Sequence, residues 1–137
     1  MDPKDMKIVR MLMKDARLPL KKIAEELGIS ATAVNKRMEK LRTTGVLLGS
    51  TAIVNARKIG WERMLIALNV KKENYVEVLD RVKGLPFFVG AYSASGPYTV
   101  LVEFLGPSEI IRGMGRTVEK MKGVRDFCPL SVVEKVR

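Results

Sequence analysis

Thr32, Asn35 and Lys36 are spaced so that a helix would carry all three on one face. Their types suit the edges of base pairs in a DNA major groove. A threonine offers a methyl or a hydroxyl, an asparagine pairs with N6 and N7 of adenine, and a lysine donates to guanine. Ser30, Arg37, Lys40 and Arg42 lie within one or two turns of them and are suited to phosphate oxygens, which set register rather than sequence. Lys21 and Lys22, slightly upstream, are either further phosphate contacts or ordinary surface lysines, and Arg57 and Lys58 are more remote candidates. A second grouping, Ser95-Gly96-Pro97-Tyr98-Thr99, has the chemistry of a small-ligand turn. Backbone amides at a glycine turn can receive a carboxylate, with Tyr98 as a cover. The alternative is a plain hairpin turn with Tyr98 in the sheet.

Other chemistries are excluded by what the chain lacks. It contains no histidine, which removes histidine-based triads, general bases and metal ligands together. The single cysteine, Cys128, reads as core filling in a late strand, with no second thiol for a disulfide or a metal. Gly113-Met114-Gly115 falls inside an expected helix, so it is no phosphate loop, and it reads instead as a place of close helix packing. No catalytic residue, metal site or cofactor is expected.

The formal charge of +10 is unevenly placed. Residues 1–60 hold 13 Lys and Arg against 6 Asp and Glu, whereas residues 61–137 hold 12 against 9. A basic first half beside a nearly balanced second half points to one module that faces a polyanion and one that does not. Apolar residues make up 47% of the chain, enough for a globular core. The apolar runs are too short to span a membrane, and the charged start has no apolar signal region, so the expected location is the reducing cytoplasm.

The elements that must position these residues are signalled locally. Asp2 caps a first helix, Pro3 suits its first position and Asp5 meets its free amides. Met6, Val9, Leu12, Met13 and Ala16 then fall at helical spacing on one face. Pro19 starts a second helix with Leu20, Ile23, Ala24 and Leu27 inward, and Gly28 closes it. Ser30 caps a third, with Val34, Met38 and Leu41 buried, which stops at Gly45. Two helices joined by a glycine turn have the helix-turn-helix layout. Val46–Asn55 then has β character, either as a wing or as a strand leading into a linker.

After the linker the chain echoes itself. Strand, helix and strand are expected at 64–70, 74–83 and 87–93, then again at 98–105, 107–122 and 125–133. The resulting β-α-β-β-α-β order is the ferredoxin-like plan, with helices on one face of the sheet. Tyr98, Val100, Val102 and Phe104 occupy one side of a strand, and Thr99, Leu101, Glu103 and Leu105 the other. Both sides are too apolar for either to stay bare, so a homodimer through the sheet is expected. The division is thus 1–55 for the DNA-binding module, 56–62 for a linker anchored by Trp61, and 63–137 for dimerisation and effector binding. The fold class is α+β: an N-terminal (winged) helix-turn-helix module of three helices, then a ferredoxin-like βαββαβ domain.

With that order in place, the chain resembles the Lrp/AsnC (feast/famine) family of transcription regulators. The resemblance rests on Asp5-Met6-Lys7-Ile8-Val9, Asp15-Ala16-Arg17, Ile23-Ala24-Glu25-Glu26-Leu27-Gly28-Ile29-Ser30, Arg37-Met38-Glu39-Lys40-Leu41, Gly45-Val46-Leu47 and the hairpin Ser95-Gly96-Pro97-Tyr98. It implies double-stranded DNA as partner at palindromic sites, a homodimer or a higher assembly up to an octamer, and an amino acid or similar small effector. One departure stands out. The family hairpin often reads Gly-x-Tyr-Asp, and here Thr99 stands in the acidic place, without the charge that would meet an effector's ammonium. The alternative reading is therefore an effector-independent architectural DNA-binding protein. An enzymatic reading, from the similar layout of sirohaem decarboxylases, fails for lack of histidine.

Overall fold

The computed structural model describes residues 1–133 with Lys135 and Val136; Glu134 and Arg137, the latter the expected end of the second module, lie outside the described residues. Two compact units are present, Met1–Ile53 and Val54–Arg137.

The first unit holds α1 (Pro3–Lys14), α2 (Leu20–Leu27) and α3 (Ala31–Thr43). Asp2 caps α1 by accepting from the Lys4 amide at 2.7 Å. Ile8, Ile23, Ala24, Val34, Met38 and Leu41 form the core, flanked by Val9, Leu12, Leu18, Leu27, Ile29 and Leu47. The inward side of α1 differs from its expected stripe. Ile8 is fully buried and Asp5 nearly so, whereas Met6, Met13 and Ala16 are exposed. Ala16 lies beyond the helix, because Asp15 turns extended and its carboxylate takes up the Arg17 amide at 2.9 Å. An acid can occupy the inward side of α1 because a cation on α3 meets it.

No strand forms over 46–55. The Val46 and Leu47 amides donate to Leu41 O at 2.9 and 3.0 Å, closing the end of α3 around Gly45. The rest of the segment is β-prone but pairs with no backbone among the described residues, and a lone extended segment is not a strand.

The second unit runs β1 (Trp61–Val70), α4 (Tyr75–Lys83), β2 (Phe88–Ser93), β3 (Val100–Pro107), α5 (Ser108–Glu119) and β4 (Val124–Val132). All neighbours are antiparallel, in the order β2-β3-β1-β4. This is the expected βαββαβ plan. On the helix side, Met64, Ile66, Leu68, Val100, Val102 and Phe104 pack with Val78 and Val82 of α4 and with Ile111, Val118 and Met121. Gly115 is buried where α5 crosses the sheet, but a Cβ there would lie 3.6 Å from Phe127 and 3.7 Å from Met64, ordinary contact distances, and one at Gly113 would meet nothing, so close packing does not require either glycine. Trp61, expected as a linker anchor, begins β1 opposite Pro107 and meets Phe87 edge-on at 5.7 Å. Phe87 in turn lies against Gly106, where any Cβ would collide with its ring. The other side of the sheet is open. Arg63, Leu65 and Ala67 face outward there with Leu101, Glu103 and Leu105, and with Cys128, Leu130 and Val132.

Candidate nucleic-acid interface

The turn that presents α3 is built by three local devices. Gly28 adopts φ 64°, a left-handed conformation that costs an L side chain energy, and so ends α2 sharply. The Ile29 amide donates to Ala24 O at 3.1 Å, which brings Ile29 onto the core. Ser30 then caps α3, its hydroxyl accepting from the Ala33 amide at 3.1 Å. Val34, Met38 and Leu41 point inward, so Thr32, Asn35, Lys36, Glu39 and Lys40 are left exposed on the opposite side.

Of the residues expected to touch DNA, Thr32, Asn35 and Lys36 share this exposed face. Lys40 and Arg42 are exposed farther along the helix, and Arg42 pairs with Glu39 at 3.3 Å. Lys21 and Lys22 are exposed in the first turn of α2. Arg57 and Lys58 fall in a short turn, Ala56–Ile59, of the second unit. Ser30 spends its hydroxyl on the cap. Arg37 differs most from its expected role. Its Nη1 lies 3.0 Å from Asp5 Oδ1 and 3.1 Å from Asp2 Oδ2, so its charge ties α3 to the start of α1. The Asp2 carboxyl is held below its usual range, first by the Lys4 amide and next by Arg37. Arg37 is pushed further above its ordinary value by its bonds to Asp5 and then Asp2. Among the described residues, the ion pairs of this unit are those of Arg37 and Arg42, which leaves the lysines of the exposed face uncompensated. Nothing local in the sequence announced the pairing of Arg37, because an acid at Asp5 is also satisfied by the free amides of the first turn.

The hairpin Ser95–Thr99 is tied down from β1. Asn69 donates to Pro97 O at 2.9 Å and accepts from the Thr99 amide at 2.9 Å and the Thr99 hydroxyl at 3.0 Å. The Thr99 amide is therefore committed, while Ser95 and Gly96 are exposed at the tip. Tyr98 lies outside the strand, against β4. Its ionisation is pushed above the usual 10.0 by its bond with Cys128 first, then by burial and by Asp126. Asn69 also donates to Asp126 Oδ2 at 3.0 Å, so an acid from β4 stands beside the hairpin whose own acidic place is taken by Thr99. Nothing local in the sequence announced this, because Asp126 is 57 residues from Asn69.

No helix is long and apolar enough to cross a membrane, and no group of three or more acidic or cysteine side chains clusters as a metal site among the described residues.

Residues 1–42 match the AsnC-type helix-turn-helix domain. The chain is 31% identical to the HTH-type transcriptional regulator LrpA of Pyrococcus horikoshii over 139 residues, covering 99% of each chain. It is 31% identical to the regulatory protein AsnC of Haemophilus influenzae over 106 residues, 76% of this chain and 71% of that one. Among solved structures, Escherichia coli AsnC superposes with a TM-score of 0.70 at 20% identity, over 98% of this chain and 93% of that one. A transcriptional regulator of Neisseria meningitidis in complex with L-Met superposes with a TM-score of 0.76 at 17% identity, over 100% and 92%. At such identities the two superpositions speak for the fold alone.

Proposed function

The chain belongs to the Lrp/AsnC family of transcription regulators, and from that premise we propose that it is a sequence-specific DNA-binding regulator of the cytoplasm, without catalytic activity, acting as a homodimer. Residues 1–55 bind the DNA, 56–62 link, and 63–137 dimerise and receive an effector. The observation that carries the reading is the exposed face of α3, with Thr32, Asn35 and Lys36 set out by a capped turn and a buried Val34-Met38-Leu41 stripe. Thr32, Asn35 and Lys36 read base edges; Ser30, Lys40 and Arg42, with Lys21 and Lys22 on the preceding helix, contact phosphates. Two such units related by a twofold axis read a palindrome, and dimers can associate further, up to an octamer.

An amino-acid effector is supported by Asp126. It restores beside Ser95, Gly96, Pro97, Tyr98 and Thr99 the negative charge that Thr99 does not supply, and it is positioned by Asn69. The ammonium of the effector would meet Asp126, and Tyr98 would cover the site. Replacing Asp126 with Asn abolishes any amino-acid response and leaves effector-free DNA affinity within about twofold. A retained response would remove Asp126 from the site.

The test of the whole reading is fluorescence anisotropy with the promoter of the protein's own gene against random DNA, across a salt series, with and without each amino acid. A preference of about a thousandfold or more that shifts with one amino acid is the expected result. Equal binding to both, with a steep salt slope, would favour an architectural DNA-binding protein, a reading helped by the internal commitment of the Thr99 amide.

A further inference from the structure

The open face of the sheet is mostly aliphatic, yet an ion pair bridges its two central strands. Arg63 on β1 and Glu103 on β3 are bonded through Nη1 and Oε2, and these are the two central strands. The register sets the pair diagonally, Arg63 opposite Leu105 and Leu65 opposite Glu103. Their side chains are already only 26% and 20% exposed, on the face that Leu65, Leu101, Leu105, Leu130 and Val132 share.

Covering this face removes water from both charges. A guanidinium has five N–H donors and a carboxylate about four acceptor sites, and within the chain this pair is joined by one bond. A wholly apolar partner would strand the remaining donors and acceptors, at a cost that offsets part of the gain from the leucines around them. A covering surface that presents an acid and a base at the same spacing satisfies both. A second copy does so by symmetry: across a twofold axis that passes beside the pair, residue i meets j while j meets i.

Building on the homodimer described above, we propose that the sheet faces pair so that Arg63 and Glu103 of each copy close a four-membered charge ring with Glu103 and Arg63 of the other. The ring selects a second copy of this chain over other chains that carry a similar leucine face. It adds partner choice to an interface whose affinity comes from apolar burial.

The test is self-association, measured by analytical ultracentrifugation. The double variant L65E/L101E is the control for the face itself. If it remains as dimeric as the wild type, the sheet-face dimer fails, and the ring with it. If it is monomeric, the charge variants decide the ring alone. R63E gives two acids per face and E103R two bases, so each alone self-associates about a hundredfold or more weakly than the wild type. Mixed in equal amounts they form a mixed dimer within about tenfold of wild-type affinity, because acids then face bases. Where either folds poorly alone, co-expression with different tags recovers the same 1:1 complex. Singles that self-associate like the wild type, or a pair that fails to combine while L65E/L101E is monomeric, would overturn the ring.

Discussion

Arg37 shows how a side chain of suitable type near a DNA surface can serve the fold instead. Its guanidinium sits between Asp2 and Asp5, and Asp5 is nearly buried. Alanine at Arg37 would leave the Asp5 carboxylate without its partner and loosen the seat of α3. We expect R37A to lower the melting temperature by about 5–10 °C. It should weaken DNA binding with little change in the slope of log affinity against log salt. K40A, by contrast, should leave the melting temperature in place and reduce that slope by about one. If R37A reduced the slope like K40A, Arg37 would be a phosphate contact after all. The same cluster sets a pH dependence. The folded-state value of Asp2 lies below its usual 3.8, so its stabilisation is complete above that value and is lost as pH falls through the folded one. The melting temperature should therefore fall as the pH drops below about 4, and more shallowly in D2N, which keeps a capping side chain without the charge.

At the scale of elements, the turn between α2 and α3 holds the exposed face of α3 by local means. Removing the cap with S30A should cost about 1 kcal/mol of stability, seen as a lower denaturation midpoint. S30D retains the capping oxygen and so should melt like the wild type. Next to a phosphate its charge should weaken DNA binding roughly tenfold, whereas unchanged affinity would place Ser30 away from the backbone. These elements were legible because their causes are short-range. Asp2 and Ser30 bond amides two and three residues away, and Gly28 turns on its own φ. The strand expected over 46–55 was not, because β character in Val46, Leu47 and Leu48 says nothing about a neighbour to pair with. The stripe on α1 was misjudged for a related reason: periodicity counts apolar residues, and Asp5 occupies an inward place as an acid.

For the whole molecule, the proposed function rests on two DNA-binding units joined through their sheets. The alternation along β3, with Val100, Val102 and Phe104 buried and Leu101 and Leu105 opposite, is the pattern from which a cover for both faces of the sheet is expected. A monomer made by L65E/L101E should keep its fold by circular dichroism. Its affinity for a palindromic site should fall by about a hundredfold or more, since the second half-site is then no longer reached at a high effective concentration. Its affinity for a single half-site should be unchanged. Equal loss on both sites would mean that the substitutions damage the DNA-binding unit itself.

The order of elements, the glycine turn, the capped recognition helix and the two-sided sheet follow from sequence alone, since each rests on periodicity or on contacts a few residues apart. Three other features were decided only by tertiary structure: Arg37 on Asp5, Arg63 on Glu103 and Asn69 on Asp126. These pairs join residues 32, 40 and 57 positions apart. A local pattern tells which face of a helix or strand a side chain occupies. Which distant charge it meets there is set by how the elements pack and by strand register, and a charge left unmatched after packing would have been costly enough to forbid the arrangement.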